Sequence, residues 1–306
     1  MTRFGGLGWD GLETCMTIEP VTIASDCLAA EITPHGAELH SLIDSEGRQF
    51  MTDADPAYWT GHAPVLFPIV GRVNHDHYRL DGIEYEMPKH GFARRSDFEI
   101  VQSDAASVVF RLTDNQATRA HYPFAFALEM AFAVEGRTLS MMATVRNTGD
   151  VPMPASFGFH PAFAWPLPYG GTKEEHLVRF EHDEPGALKE ISPDGLIAAA
   201  QRATPVTGNV LHLRDALFTN DALVWDKLAS RALHYGVPGK PGLDISFPDT
   251  EKLGIWMKPG ARYLCVEPWA GIADPEGFTG EFVEKPGVFE LASSEQRAFR
   301  MVVTVG

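Results

Sequence analysis

The stretch Phe126-Ala-Leu-Glu-Met-Ala-Phe-Ala-Val134 puts a large apolar side chain on every second residue, and Leu139, Met141, Ala143 and Val145 repeat the alternation after Gly136-Arg137. A period of two with the bulk on one side is the pattern of a half-buried strand, and the glycine between the runs makes them a hairpin. Val108-Val-Phe-Arg-Leu112, Leu253-Gly-Ile-Trp-Met257 and Ala298-Phe-Arg-Met-Val-Val-Thr-Val305 read the same way. Turn residues punctuate the series at Asn147-Thr-Gly149, Ser192-Pro-Asp-Gly195 and Lys258-Pro-Gly260. Helical candidates are few and short: Asp55–Trp59, and Asn115–His121 ahead of Pro123. Many closely spaced strands without helices between them predict an all-β sandwich or barrel. No linker-like break divides the chain, so residues 16–306 are expected to form one domain, with the glycine-rich residues 1–15 as a tail or extra edge segment.

The chain of 306 residues is long enough for a large core, and its formal net charge of −16 argues against a nucleic-acid partner, which needs a basic surface. No apolar run approaches the roughly 20 residues that cross a bilayer as a helix. The N-terminus lacks a basic region followed by an apolar stretch. Cys15, Cys27 and Cys265 are scattered, without a Cys-x-x-Cys pair, which points to free thiols and a cytoplasmic location.

Four segments set titratable residues among apolar or glycine-rich neighbours. In Leu66-Phe-Pro-Ile-Val-Gly-Arg72 an arginine ends an apolar run, where it must either be ion-paired or face a cleft. In Lys89-His-Gly-Phe-Ala-Arg-Arg95 the glycine after His90 would let a ligand come close to the backbone, although a lone histidine also suits a turn. In Ala155-Ser-Phe-Gly-Phe-His-Pro-Ala-Phe163 an extended chain puts Ser156, Gly158 and His160 on one face and Phe157 and Phe159 on the other. Small residues then leave a hollow beside the histidine; the competing reading is a core histidine bonded to backbone. In Arg262-Tyr-Leu-Cys-Val-Glu-Pro-Trp-Ala-Gly271 a glutamate closes a run with buried-strand composition. Burial would raise its pKa toward neutrality, as a general base needs; the alternative is a carboxylate at the core's margin, paired with an arginine.

His75-Asp76-His77 lies in a polar turn, and His35 and His40 are separated by a glycine-containing one. Neither has metal-ligand spacing, so no metal is expected. The absence of Gly-x-Gly-x-x-Gly, Walker and Gly-x-Ser-x-Gly patterns removes support for nucleotide cofactors and for serine hydrolysis.

In their order, Phe67-Pro-Ile-Val-Gly-Arg72, His90-Gly-Phe-Ala-Arg94, Phe159-His-Pro-Ala-Phe163 and Cys265-Val-Glu-Pro-Trp269 resemble the compact bacterial branch of the aldose 1-epimerase (mutarotase) family. Gly36-Ala-Glu-Leu39, Asp55-Pro-Ala-Tyr-Trp59, Asn147-Thr-Gly-Asp150 and Asn220-Asp-Ala-Leu-Val224 add to the likeness, which runs from about Val21 to Val305. The resemblance implies a galactose mutarotase-like fold, a large twisted antiparallel β-sandwich with its site in a cleft across a concave sheet. It implies Glu267 as catalytic base, His160 as catalytic acid and His90 as a second active-site histidine. It also implies Arg72 as a sugar-binding arginine, Asp221 as acceptor of sugar hydroxyls and Lys258 where a longer branch carries a sugar-contacting glutamine. The chain is short between Lys258 and Glu267, where galactose-specific members carry an insertion.

The residues suit that chemistry. Mutarotation opens a cyclic hemiacetal and closes it on the other carbonyl face, so one group takes a proton from the anomeric O1 while another gives one to the ring oxygen. A buried carboxylate and a histidine perform this exchange without metal or nucleotide. The expected substrate is a free neutral hexose, met by a monomer or homodimer with no membrane partner. The alternatives are an anionic sugar, such as a hexose 6-phosphate or a sulfonated hexose, held by Arg94, Arg95 or Lys258, and a non-catalytic carbohydrate-binding sandwich. Of the cations, Arg95 is the freer, since Arg94 falls within the segment common to the family.

Overall fold

In a computed structural model that describes residues 19–306, the alternating run folds as read. Residues Phe126–Glu135 and Thr138–Asn147 pair antiparallel along their whole length, and Gly136 at φ +55° opens the two-residue turn between them. The expected tail over residues 1–15 lies outside the described residues.

In chain order the strands are β1 (Val21–Ala24), β2 (Leu28–Thr33), β3 (Glu38–Asp44), β4 (His77–Leu80), β5 (Ile83–Glu86), β6 (Glu99–Ser103) and β7 (Ser107–Thr113). After the helix α1 (Gln116–His121) come β8 (Phe126–Glu135), β9 (Thr138–Asn147), β10 (Met153–Ala155), β11 (Phe157–Gly158), β12 (Ala162–Ala164), β13 (Leu177–Phe180), β14 (Leu188–Ile191) and β15 (Ile197–Arg202). Then follow β16 (Val210–His212), β17 (Leu223–Trp225), β18 (Ala232–Gly236), β19 (Gly242–Ser246), β20 (Lys252–Trp256), β21 (Tyr263–Ala270), β22 (Phe289–Leu291) and β23 (Gln296–Val305).

Two large sheets carry the architecture. A nine-stranded sheet runs β16-β13-β18-β19-β23-β9-β8-β7-β6, and a seven-stranded sheet runs β11-β21-β20-β17-β14-β15, with β12 also on β21. Their inner faces meet in one core: Phe157 of β11 stacks on Phe299 of β23 at 5.1 Å, and Phe180 of β13 packs on Trp225 of β17 at 5.4 Å. Strand alternation gives the seven-stranded sheet a second face. Leu264 and Val266 point into the core, whereas Glu267 and Trp269 point outward, to a smaller apolar cluster of Leu66, Val70, Ile197, Ala222, Val224, Ile272 and Ala273. The outward face is where polar chemistry gathers.

The helix α1 forms where Asn115 caps it, accepting the N–H groups of Ala117 and Thr118. The helix read over Asp55–Trp59 is instead one turn, with the Tyr58 and Trp59 N–H groups on the Asp55 carbonyl. The Trp59 indole lies over Gly61, where a Cβ would stand 2.3 Å from the ring. Among the described residues no helix is long and apolar enough to cross a membrane.

Candidate active site

Strands β11 and β12 both pair with β21, and in the same register: Gly158 faces Trp269 and Ala162 faces Cys265. That register sets His160 directly opposite Glu267 on the outward face. The ladder between these two pairings is thinned by sequence. Phe159 N–H donates to the Pro268 carbonyl and Val266 N–H to the Pro161 carbonyl, each at 3.1 Å, but neither proline returns a bond. Opposed residues that do not bond each other's backbone bring their side chains closest. Here His160 Nε2 stands 3.1 Å from Glu267 Oε2, with both side chains at most a tenth exposed.

The pair lies in a cavity of about 280 Å³, near the small end of the roughly 300–1,000 Å³ usual for ligand pockets. Three tryptophans wall it: Trp59, whose ring centroid lies 5.2 Å from that of His160, Trp256 at 6.1 Å, and Trp269. The hollow expected beside Gly158 is filled by the Trp269 indole. A Cβ at either Gly158 or Gly254, on the strands flanking β21, would stand 2.6 Å from that ring, so both glycines exist to let it lie across the sheet.

His90 enters the cavity from the other side, its ring edge-on to His160 at 5.8 Å. Its backbone N–H donates to the Gly71 carbonyl at 2.7 Å, and the Gly71 N–H donates to its Nδ1 at 3.1 Å. With Nδ1 an acceptor, the neutral ring carries its proton on Nε2. Gly91 does not serve a ligand as expected. It has φ +74°, and a Cβ there would lie 2.1 Å from the Phe67 carbonyl oxygen, so its close approach is to backbone.

Burial governs the titration of these groups. It pushes the Glu267 carboxyl well above the usual carboxylate range; Lys89 works against this and the Asp221 carboxylate adds to it. Burial pushes His160 down to about 3 and His90 well below the usual imidazole range, with the charges of Lys89 and Arg94 contributing in both. Burial therefore favours the form in which the pair shares one proton on the carboxyl side over a carboxylate beside an imidazolium.

Of the remaining expected residues, Asp221 lines the cavity, exposed and at φ +69°, while Oδ1 accepts the Ala222 N–H. Arg72 and Lys258 do not line it. Arg72 donates through Nε and one terminal nitrogen to the Asp76 carboxylate at 2.7 and 2.6 Å, and through the other to the Asp194 carbonyl. It therefore braces the turn that brings Gly195 to the cavity rim. Lys258 turns out to the Tyr58 carbonyl at 3.2 Å. Arg94, by contrast, does line the cavity, with Nε buried and unpartnered, and so does Lys89. Among the described residues neither cation has a carboxylate within 4.0 Å, and Arg95 is exposed outside the cavity. A buried ion pair, Lys285 Nζ to Asp274 Oδ1 at 2.8 Å, fixes the wall formed by Ile272 and Ala273.

Sequence reading missed the three tryptophans and Lys89 as cavity residues. The available signal was parity: Trp269 stands two residues from Glu267 and so shares its face. Among the described residues, two groups of side chains gather metal-ligating atoms within 4.8 Å of one another: His160, Cys265 and Glu267, all buried, and Glu38, His40 and His62, all half-buried. A cation in the first would occupy the groups that share the proton. Cys27 and Cys265 are free thiols.

The sequence model of the aldose 1-epimerase family matches residues 19–288. The chain is 30% identical over 269 residues to the chromosomal Protein LacX of Lactococcus lactis subsp. lactis, covering 84% of this chain and 89% of LacX. Among solved structures, a galactose mutarotase related enzyme from Lactobacillus acidophilus superposes with a TM-score of 0.85 at 30% identity, covering 94% of this chain and 97% of that one. A galactose mutarotase-like protein from Lactobacillus casei does so with a TM-score of 0.88 at 28% identity, covering 94% and 100%. The two-sheet sandwich is thus the galactose mutarotase-like fold, and the chain belongs to the aldose 1-epimerase family.

Proposed function

We propose that this protein interconverts the α and β anomers of an aldose by opening and closing its hemiacetal ring, with Glu267 and His160 moving the two protons. The observation that carries this reading is the opposition of His160 and Glu267 at 3.1 Å on the floor of a tryptophan-walled cavity. Passing their shared proton to His160 leaves a carboxylate and an imidazolium without changing the net charge of the pair. Glu267 then takes the proton of the anomeric hydroxyl while His160 gives one to the ring oxygen. After rotation about the C1–C2 bond the roles reverse, and closure on the other carbonyl face yields the other anomer. The His90 Nε2–H donor stabilises the charge that develops on the ring oxygen. The free thiols favour a cytoplasmic location.

The test is anomer exchange measured by NMR on a panel of neutral and anionic sugars. Glu267→Gln is expected to keep the fold and lose exchange by about 10²- to 10⁴-fold, the usual contribution of a general base. Near-normal exchange in that variant would remove Glu267 from the mechanism.

The substrate read from sequence is a free neutral hexose. A second reading, an anionic sugar, is favoured by Arg94 and Lys89, two cavity cations without a carboxylate partner within 4.0 Å among the described residues. The same panel separates them: a neutral substrate gives equal or better exchange of glucose and galactose than of their 6-phosphates. An anionic one reverses the order, and its KM rises with added salt.

A further inference from the structure

Behind the Trp59 wall of the cavity, Glu38 and His40 of β3 meet His62 from the loop that carries Trp59. Glu38 Oε1 accepts the N–H groups of His62 and Ala63 at 2.7 and 2.8 Å, which fixes the carboxylate and leaves Oε2 free, 3.8 Å from His40 Nε2. The His40 and His62 rings are stacked face to face, centroids 4.2 Å apart and planes 19° apart. Neither imidazole has a hydrogen bond from its ring nitrogens to another described residue.

We propose that Glu38, His40 and His62 form a binding site for a transition-metal dication of the zinc type. One carboxylate oxygen and two imidazole nitrogens are the ligand set that suits zinc and its first-row neighbours, whereas calcium and magnesium take mostly oxygen. Three protein ligands on a half-exposed surface leave a fourth position to water, as open zinc sites do. The ligand atoms lie within 4.8 Å of one another. Metal–ligand bonds of about 2.0–2.1 Å require donors roughly 3.4 Å apart, so side-chain rotation has to unstack the two rings, turn both lone pairs to one point and draw the donors in by about an ångström. The His62 carbonyl accepts the Ala162 N–H at 2.8 Å, and Trp59 of the same loop lies against His160. A cation here therefore ties β3 to the loop that forms one wall of the cavity.

The experiment is calorimetric titration of Zn²⁺ into tag-free full-length protein stripped of metal, with Co²⁺ as a spectroscopic probe. One saturable equivalent is expected, weakened at least tenfold in His40→Ala and in His62→Ala and retained in Cys265→Ala, which breaks the buried cluster instead. Zn²⁺ should raise the Tm of the native protein and not of folded His62→Ala, and Co²⁺ should give the visible bands of a low-coordinate site. Absence of saturable micromolar binding, or binding undiminished in both histidine variants, overturns the proposal. Loss of binding in Cys265→Ala alone does so as well, by assigning the metal to the buried cluster.

Discussion

Glu267 is a carboxyl at 2% exposure in the middle of a strand, and its burial has a cost that varies with pH. Because its folded pKa is raised, the native state keeps a proton that the unfolded chain releases above the ordinary carboxylate range. The native state binds more protons, so this residue's contribution to stability is full at low pH and is lost as pH rises. His90 and His160 act with the opposite sign: their depressed values mean the unfolded chain gains protons as pH falls below about 6.5, and stability falls with it. Glu267→Gln removes only the first slope. Its melting curve is expected to match that of the native protein near pH 4 and to lie above it at pH 7, each pH unit of divergence being worth about 1.4 kcal/mol. A variant less stable at both pH values would mean that the carboxyl supports the fold rather than strains it. Glu267, His160 and His90 were legible in the sequence because such residues seldom sit in apolar runs without a reason. Arg72 and Lys258 were not, because where a long cationic side chain turns depends on its partner, here Asp76 and the Tyr58 carbonyl.

At the scale of elements, alternation along β8, β9, β7 and β23 was readable because one face of each is buried and the other is not, whereas β20 is buried on both faces. The cavity tryptophans were hidden by the same logic, since bulk on the second face of a doubly covered sheet looks like more core. The glycines flanking β21 hold the information that composition lacks. Adding a methyl group at Gly158 would bring it to 2.6 Å from the Trp269 ring and 3.1 Å from Leu66. Gly158→Ala is therefore expected to tilt the indole into the cavity, to destabilise the fold by about 1–3 kcal/mol as overpacking does, and to raise KM. Thermal melts and exchange kinetics check this; unchanged values in both would mean that the indole has room to spare. The single turn at Asp55–Trp59 was misread as a helix because its opening residues suit one, and only the Tyr58 and Trp59 N–H groups close on the Asp55 carbonyl.

At the scale of the whole molecule the sandwich class was legible and the strand order was not. Strand β23 lies between β9 and β19, paired to both, and so joins the hairpins β6–β9 to the group β19-β18-β13-β16. Nothing in the local pattern of Gln296–Val305 says which edges it completes, since register depends on partners far away in sequence. Its central place predicts that a chain ending after Glu295 does not form the nine-stranded sheet. Such a protein is expected to be largely insoluble and to lack a cooperative melt, measured by sedimentation and calorimetry. A soluble, cooperatively melting product would show that the two groups of strands stand alone.

The position of β23 also sets a schedule for the nascent polypeptide. A hairpin such as β8–β9 forms within about 1–10 μs, yet some 150 residues separate Asn147 from Gln296, on the order of ten seconds of ribosomal elongation. Throughout that interval the long free side of β9 is an open template for any other extended chain. Heterologous yield should therefore depend on translation speed and on chaperones that shield this edge more than on the stability of the finished protein.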